Sequence, residues 1–249
     1  MGSVQKVASA ILLTVSLLLL YPSESSATSK VNKSSRRSRP LTRGEIKQAE
    51  DRLSQMGYKT GKVDGIVDGG TRQALMIFQK WEDRKVTGSM SRGDFDAIMT
   101  AEAPQPKDSG YKHVEVDLDR QVLLLINEDG TIKKMLPVST GSNKHYKEKR
   151  MSGLAYTPRG RFRIYAKLAG WRKSPLGLLY YPNYFSDGLA IHGNPSVPDS
   201  PQSHGCVRIP MSSAAQMSKE LPVGTILLIY DKESFVSAKD WAEADRQKQ

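Results

Sequence analysis

Residues 113–139 read HVEVDLDRQVLLLINEDGTIKKMLPVS, and this stretch decides the fold of the second half of the chain. Polar and apolar residues alternate from His113 to Leu118, which is typical of a half-buried β-strand. The run from Gln121 to Ile126 is apolar after its first residue and predicts a buried strand. Glu128-Asp129-Gly130 predicts a tight hairpin turn, and Lys133 to Ser139 predicts the returning strand.

Further strands are predicted downstream over residues 161–167, 188–192 and 225–230. Many short strands joined by turn residues indicate a β-sandwich or a distorted barrel. The predicted fold class is therefore α+β and multidomain, with a small all-α unit followed by a mostly β domain over residues 111–231. Residues 232–249 are predicted to form a helical or frayed C-terminal tail.

Residues 42–100 have helical periodicity instead. A first helix is predicted to start at Thr42, with Glu45 completing a capping box, and to stop at Gly57. A second helix is predicted to be capped by Thr71 and a third to open at Ser91. The apolar faces of the three helices consist of Ile46, Ala49, Leu53 and Met56, then Ala74, Leu75, Ile77, Phe78 and Trp81, then Phe95, Ile98 and Met99.

The N-terminus predicts export. Residues 1–27 combine one lysine, an apolar run and small residues at a cleavage spacing, which is typical of a signal peptide; a retained anchor is the alternative. Residues 28–41 form a basic linker and residues 101–110 a second, proline-containing linker. The formal net charge of +11 suits nucleic acid, acidic lipid or an anionic wall polymer as partner, and a merely solvated basic linker is the alternative. The sequence has no aromatic-interleaved nucleic-acid motif, and the predicted export argues against DNA.

The chain has one cysteine, Cys206, in Ser203-His204-Gly205-Cys206-Val207-Arg208. One cysteine excludes an internal disulfide and a cysteine-rich zinc site, and the sequence implies no metal and no cofactor. A thiol becomes a useful nucleophile when a base or a cation lowers its pKa. The alternative is a buried, inert cysteine, but an unpaired thiol in an exported protein favours a functional role.

Two histidines are candidate bases for this thiol. His192 ends a predicted strand and can face Cys206 from a neighbouring strand, whereas contact from His204 across Gly205 is awkward; His192 is therefore the predicted base. The carbonyl of Gly193 can accept the imidazole proton and fix the tautomer. Gly205 lets the Cys206 amide approach the reacting carbonyl as part of an oxyanion hole. Arg208 is predicted to bind a substrate carboxylate or to stabilise the thiolate.

At these residues the chain resembles the L,D-transpeptidases of bacterial peptidoglycan. Besides the two motifs around His192 and Cys206, residues 138–141 and 157–162 are similar to upstream segments of that family's catalytic domain. The resemblance implies a cysteine acyltransferase that attacks a tetrapeptide stem, releases D-alanine and passes the acyl group to an acceptor amine, and that is acylated by carbapenems. It implies Cys206 as nucleophile and His192 as base, with Ser203, His204 and Gly205 shaping the site.

Residues 42–100 are similar to the three-helix peptidoglycan-binding domain. The resemblance rests on residues 53–58, 63–66, 71–75, 78–79 and 87–88. It implies peptidoglycan as the partner and a periplasmic or cell-wall location, peripheral to the envelope. Within this unit Phe78, Trp81 and Phe95 are predicted to pack in the core, with contact to sugar as the alternative.

Several points stay open at the level of sequence. Residues 142–156 form either a solvated loop or a lid over the site. Tyr180, Tyr181 and Tyr184 either line the substrate groove or pack inside the domain, and Tyr181 and Tyr184 are taken as candidate substrate-binding residues. With water as acceptor the enzyme would be an L,D-carboxypeptidase, and with a protein amine a protein–peptidoglycan ligase. A catalytically silent wall-binding protein is the alternative outside enzymes.

Overall fold

The computed structural model describes residues 39–148 and 151–234 of the chain. The signal peptide predicted for residues 1–27, most of the basic linker and residues 235–249 of the tail lie outside this described part. The helices are α1 (Arg43–Gln55), α2 (Gly69–Trp81), α3 (Arg92–Thr100) and α4 (Met211–Glu220). None of the helices within the described ranges has the length and hydropathy needed to span a membrane.

The three N-terminal helices begin where local capping chemistry dictates. Thr42 and Ser91 cap α1 and α3 with reciprocal capping boxes to Glu45 and Asp94, which confirms those two predictions. The prediction for α2 was wrong, because its N-cap is Asp68, whose side chain accepts from the Thr71 amide. Asp68 is favoured over Thr71 as the N-cap residue because its carboxylate also interacts favourably with the helix dipole.

Thr71 has a different role in the helical unit. Its hydroxyl is buried and donates to Glu50, a fully buried carboxylate that also accepts from the amides of Asp64 and Gly65. Glu50 thereby connects α1, the 64–65 loop and α2. Phe78 and Phe95 lie in the core of this unit and Trp81 packs against it, which confirms core packing for the three rings.

The second half of the described chain is mostly β, as predicted. Two five-stranded sheets and a hairpin account for the strands β1 (His113–Asp117), β2 (Val122–Ile126), β3 (Ile132–Pro137), β4 (His145–Glu148), β5 (Met151–Leu154), β6 (Gly160–Arg163), β7 (Ala166–Lys167), β8 (Trp171–Ser174), β9 (Gly177–Ser186), β10 (Leu189–Asn194), β11 (Val207–Pro210) and β12 (Ile226–Tyr230). The first sheet has the order β3-β2-β1-β12-β6, with β1 parallel to β12. The second has the order β11-β10-β9-β7, with β8 also paired to β9, and β4 pairs with β5 alone.

Several elements differ from the sequence prediction. The single strand predicted over 161–167 divides into β6 and β7, which belong to different sheets, because the chain crosses between the sheets at Ile164 and Tyr165. The long strand β9 and helix α4 were not predicted; α4 lacks a side-chain cap at Pro210, so the usual start signal is missing. Within residues 142–156, a loop or lid in the prediction, residues 145–148 and 151–154 pair as the antiparallel strands of the β4–β5 hairpin.

The first sheet is buried on both faces. On one face, Leu123 and Leu125 of β2 pack into the core between the two sheets, together with α4. On the other face, Val122, Leu124 and Ile126 join the core of the helical unit. Burial on both faces explains why β2 is continuously apolar instead of alternating.

The prediction that β1 is half-buried was wrong, because its polar face is covered as well. Glu115 is fully buried and accepts hydrogen bonds from the amides of Lys107 and Asp108 and from the hydroxyl of Tyr230. The segment that connects the two units therefore lies on the sheet and is held there by Glu115. A buried carboxylate is tolerated when hydrogen-bond donors surround it in this way.

Leu124 tests the shared core between the two units. Its side chain is fully buried there, so we expect Leu124→Ala to lower the free energy of unfolding by about 2–5 kcal/mol, measured by denaturant titration of the full chain. Val223→Ala is the control, because Val223 is 60% exposed and should change stability by less than about 0.5 kcal/mol. Equal effects of the two substitutions would contradict a core that both units share.

Candidate active site

One cavity of about 630 Å³ brings together most of the residues singled out from the sequence. Cys206 and His192 line it together with Ser203, His204 and Arg208. Its walls also include residues of the β4–β5 hairpin and the segment after it, of the β8–β9 turn and of the β9–β10 turn. The apolar side chains of these walls are Met151, Leu154, Tyr156, Leu176, Leu178 and Leu189.

The turn before β11 presents Cys206 to this cavity. Gly205 has φ +134°, and a Cβ atom there would lie 2.7 Å from the carbonyl oxygen of Tyr156, so only glycine fits without strain. The Ser203 hydroxyl accepts from the Gly205 amide at 3.0 Å and donates to the Cys206 carbonyl at 2.6 Å. Ser203 thus closes the turn around the cysteine, and the Gly205 amide is already engaged.

Thr157 holds the same turn from the opposite side, a position that sequence reasoning did not assign to the site. Its buried hydroxyl accepts from the Gly141 amide at 2.8 Å and donates to the Gly205 carbonyl at 2.7 Å. Gly141 must be small, because a Cβ there would lie 2.5 Å from the carbonyl oxygen of Ala155. The similarity of segments 138–141 and 157–162 to the family was the available signal, but without the fold it gave neither residue a role.

His192 lies on β10 next to β11, opposite Arg208 in the parallel register. Its ring is 3% exposed, and Nδ1 lies 2.9 Å from the carbonyl oxygen of Gly193. A carbonyl only accepts, so Nδ1 carries the proton in this contact and Nε2 of the neutral ring is left as the acceptor. The predicted contact between His192 and Gly193 is present in the structure.

Electrostatics favour an uncharged thiol and imidazole in the resting site. Burial lowers the pKa of His192 to about 4; the Gly193 hydrogen bond opposes this shift and the Arg208 charge adds to it. Burial raises the pKa of the Cys206 thiol, against a backbone hydrogen bond from Ala190 and the Arg208 charge, which lower it. At neutral pH the pair is therefore a neutral thiol and a neutral imidazole, so the imidazole is able to accept a proton.

His204 also lines the cavity, and its ring contacts the β4–β5 hairpin. Its Nε2 lies 3.0 Å from the Glu148 carboxylate, and its ring meets that of Tyr146 edge-on at 4.7 Å between centroids. A carboxylate accepts, so Nε2 carries the proton in this contact. The hairpin is thereby attached to the residue two positions before Cys206, and it forms a wall of the cavity instead of a solvated loop.

Two predicted substrate-binding residues are not brought to this cavity. Tyr181 lies at an irregularity in the β9–β10 pairing with φ +49°, packs against the core between the sheets and contacts the ring of Tyr180. Tyr184 faces the ring of Tyr165. Arg208 does line the cavity, and burial lowers the pKa of its guanidinium against the pull of Cys206. The sequence predicted all three near the substrate, but only the tertiary structure shows that Arg208 of β11 lines the cavity, whereas Tyr181 and Tyr184 of β9 contact other aromatic rings.

The structure therefore defines a two-part protein, in which a three-helix unit covers one face of a two-sheet domain that carries a thiol and an imidazole at one cavity. The family profile of the L,D-transpeptidase catalytic domain matches residues 111–229, and that of a peptidoglycan-binding domain matches residues 42–97. The chain belongs to the L,D-transpeptidase family. None of the curated proteins shows a significant match to it.

Two solved L,D-transpeptidase structures are similar to the chain, and the first of them supports this assignment. An L,D-transpeptidase from Xylanimonas cellulosilytica is 35% identical to the chain with a TM-score of 0.68, and the alignment covers 75% of this chain and 93% of that one. An L,D-transpeptidase from Stackebrandtia nassauensis is 23% identical with a TM-score of 0.47, and the alignment covers 74% of this chain and 90% of that one.

Among the described residues, no group of three or more His, Cys, Asp or Glu side chains is arranged to hold a metal ion.

The buried imidazole predicts a pH dependence of stability. The pKa of His192 falls from 6.5 to about 4 on folding, so between these values the unfolded chain binds the additional proton. The free energy of unfolding should be largest above about pH 6.5 and fall as the pH drops towards about 4. We expect His192→Gln to remove about 3 kcal/mol of this dependence, measured by urea unfolding at about pH 7.5 and about pH 4.

The matched control is His145→Gln, at an exposed position of β4. It should keep the pH dependence of the wild-type protein. If His192→Gln also keeps that dependence, the imidazole is not buried in its neutral form.

Proposed function

We propose that this protein is an exported cysteine L,D-transpeptidase that cross-links peptidoglycan stem peptides. The observation that carries the proposal is that Cys206 and His192 line one cavity, where Nδ1 of His192 donates a hydrogen bond to the Gly193 carbonyl. Family membership supplies the reaction class. The apolar run in residues 1–27 and the match to a peptidoglycan-binding domain support a periplasmic or cell-wall location and peptidoglycan as partner.

In the acylation step, His192 acts as the general base. Nε2 takes the proton of Cys206 as Sγ attacks the carbonyl carbon of the third stem residue, and the carbonyl π electrons move to oxygen. When the tetrahedral intermediate collapses, the bond to the D-alanine nitrogen breaks. The imidazolium returns its proton to that nitrogen, so D-alanine leaves as a neutral amine and a thioester remains on Cys206.

In the second step, the amine of an acceptor stem attacks the thioester carbonyl. His192 Nε2 accepts a proton from this amine, the C–S bond breaks, and the proton returns to Sγ to regenerate the thiol. A base with a lowered pKa suits this cycle, because it stays unprotonated down to about pH 5 and is free before each attack. The enzyme therefore needs no cofactor in this scheme.

The other residues serve this chemistry by position. With the Gly205 amide engaged by Ser203, the Cys206 amide is the first candidate donor to the oxyanion. Arg208, beside both reacting groups, suits a carboxylate of the donor stem. His204 shapes the site by holding the hairpin through Glu148 and Tyr146, and carbapenems would acylate Cys206 in the same cavity.

The reaction is tested by incubating the purified protein with disaccharide-tetrapeptide and analysing the products by mass spectrometry. A cross-linked dimer with loss of one D-alanine is expected. Tripeptide as the sole product would identify water as the acceptor and an L,D-carboxypeptidase. Cys206→Ala should abolish D-alanine release and the covalent meropenem adduct but leave sacculus binding intact; an adduct on the variant would disprove the nucleophile.

The assignment of the base is tested by comparing two histidine variants. His192→Ala should lower the rate of D-alanine release by about 10²–10⁴-fold, because a general base contributes an effect of that size. His204→Ala should lower this rate far less, because the His204 ring is paired with Glu148 of the hairpin. Comparable losses in the two variants would leave His192 without a distinct role.

A further inference from the structure

Lys80 is a buried cation in the helical unit that the reaction scheme does not use. It lies near the end of α2, is 6% exposed, and its Nζ donates to the carbonyl oxygens of Gln121 and Val138, at 3.3 Å each. Both acceptors belong to the β domain. Desolvation lowers the pKa of Lys80 to about 8, with Asp199 opposing the shift. A buried ammonium held by two neutral carbonyls is costly, which calls for an explanation.

Further contacts connect the two acceptor residues, Gln121 and Val138, to the two ends of the segment that carries Cys206. From Gln121, the side chain donates to the Thr140 hydroxyl at 2.8 Å and accepts from the Thr140 amide at 2.9 Å. The Thr140 carbonyl then accepts from the Ser203 amide at 2.8 Å. This route reaches the start of the turn.

From Val138, the chain continues into Ser139, which exchanges both backbone hydrogen bonds with Arg208 at 3.0 and 3.1 Å. This second route reaches the residue just after the turn. Residues 138–140 therefore hold segment 203–208 at both ends, and Lys80 binds the first of these residues, Val138, as well as Gln121.

The backbone at Gln121 supports a functional reason for this arrangement. Gln121 has φ +53°, in the left-handed region that costs a non-glycine residue free energy. Such conformations persist only where surrounding contacts enforce them, and they cluster at functional sites. Two sets of contacts enforce it here. The Lys80 ammonium donates to the Gln121 carbonyl, and the Gln121 side chain donates to the Leu118 carbonyl and to the Thr140 hydroxyl.

We propose that Lys80 is a positioning residue for the Cys206 turn, so that the helical unit sets the geometry of the reactive segment besides binding the wall. This inference rests on the proposed transpeptidase function. The helical unit then contributes to catalysis, because a chain of hydrogen bonds connects its Lys80 to Ser203 and Arg208. Small displacements of reacting groups can lower the reaction rate by a large factor. The benefit of a fixed support for the Cys206 turn therefore offsets the free-energy cost of burying the Lys80 charge.

The test uses the full chain with Lys80→Met, which removes the ammonium and keeps the length of the side chain. We expect kcat for D-alanine release to fall by at least about tenfold with KM changed by less than about twofold, and iodoacetamide to alkylate Cys206 at an altered rate. Arg84→Met is the matched control, because Arg84 pairs with Asp94 inside the helical unit. It should leave kcat and the alkylation rate at wild-type values.

An unchanged kcat in folded Lys80→Met, even with a lower melting temperature, would overturn the proposal and leave Lys80 as a structural contact only. If Lys80→Met does not fold, Thr140→Val tests the same chain of hydrogen bonds and must show the same fall in kcat. If the wild-type protein releases no D-alanine, the proposed function fails, but the alkylation rates still decide the role of Lys80. Equal rates in wild type and Lys80→Met would then reject it.

Discussion

The structure depends on the burial of the first sheet on both of its faces. The run Val122–Ile126 has one set of side chains in the core between the sheets and the other in the core of the helical unit. The polar positions of β1 are tolerated in this environment because Glu115 receives donors from the connecting segment and from Tyr230. The two units therefore share apolar surface, and neither is simply tethered to the other.

This burial gives the active site a rigid base. Residues 138–141 follow β3 out of the first sheet and pair with segment 203–208, which belongs to the second sheet. Ser203 and Thr157 then hold the turn at Gly205 from two sides with short hydrogen bonds. Cys206 is therefore positioned by backbone that hydrogen bonds hold at several points.

The cavity brings together an uncharged thiol and an uncharged imidazole. Burial is the main cause, because it raises the pKa of Cys206 and lowers the pKa of His192, and the Arg208 charge acts on both groups. The β4–β5 hairpin, attached through His204 to Glu148 and Tyr146, contributes exposed apolar side chains to one wall. The histidine beside the cysteine thus holds the hairpin, while the more distant histidine is available for chemistry.

Sequence patterns by themselves determined the division into a helical and a mostly β unit, the capping box at Thr42, the helix start at Ser91, the strands around the turn at Gly130, and the candidates Cys206 and His192. These depend on short-range periodicity and on residue types whose chemistry is unambiguous. Only the tertiary structure decided that β1 is buried on both faces, that Tyr181 packs against the core and Tyr184 contacts Tyr165, that Thr157 supports the turn, and that Lys80 reaches the β domain. Each of these depends on contacts between residues far apart in the chain, and local patterns do not encode which distant surfaces will meet.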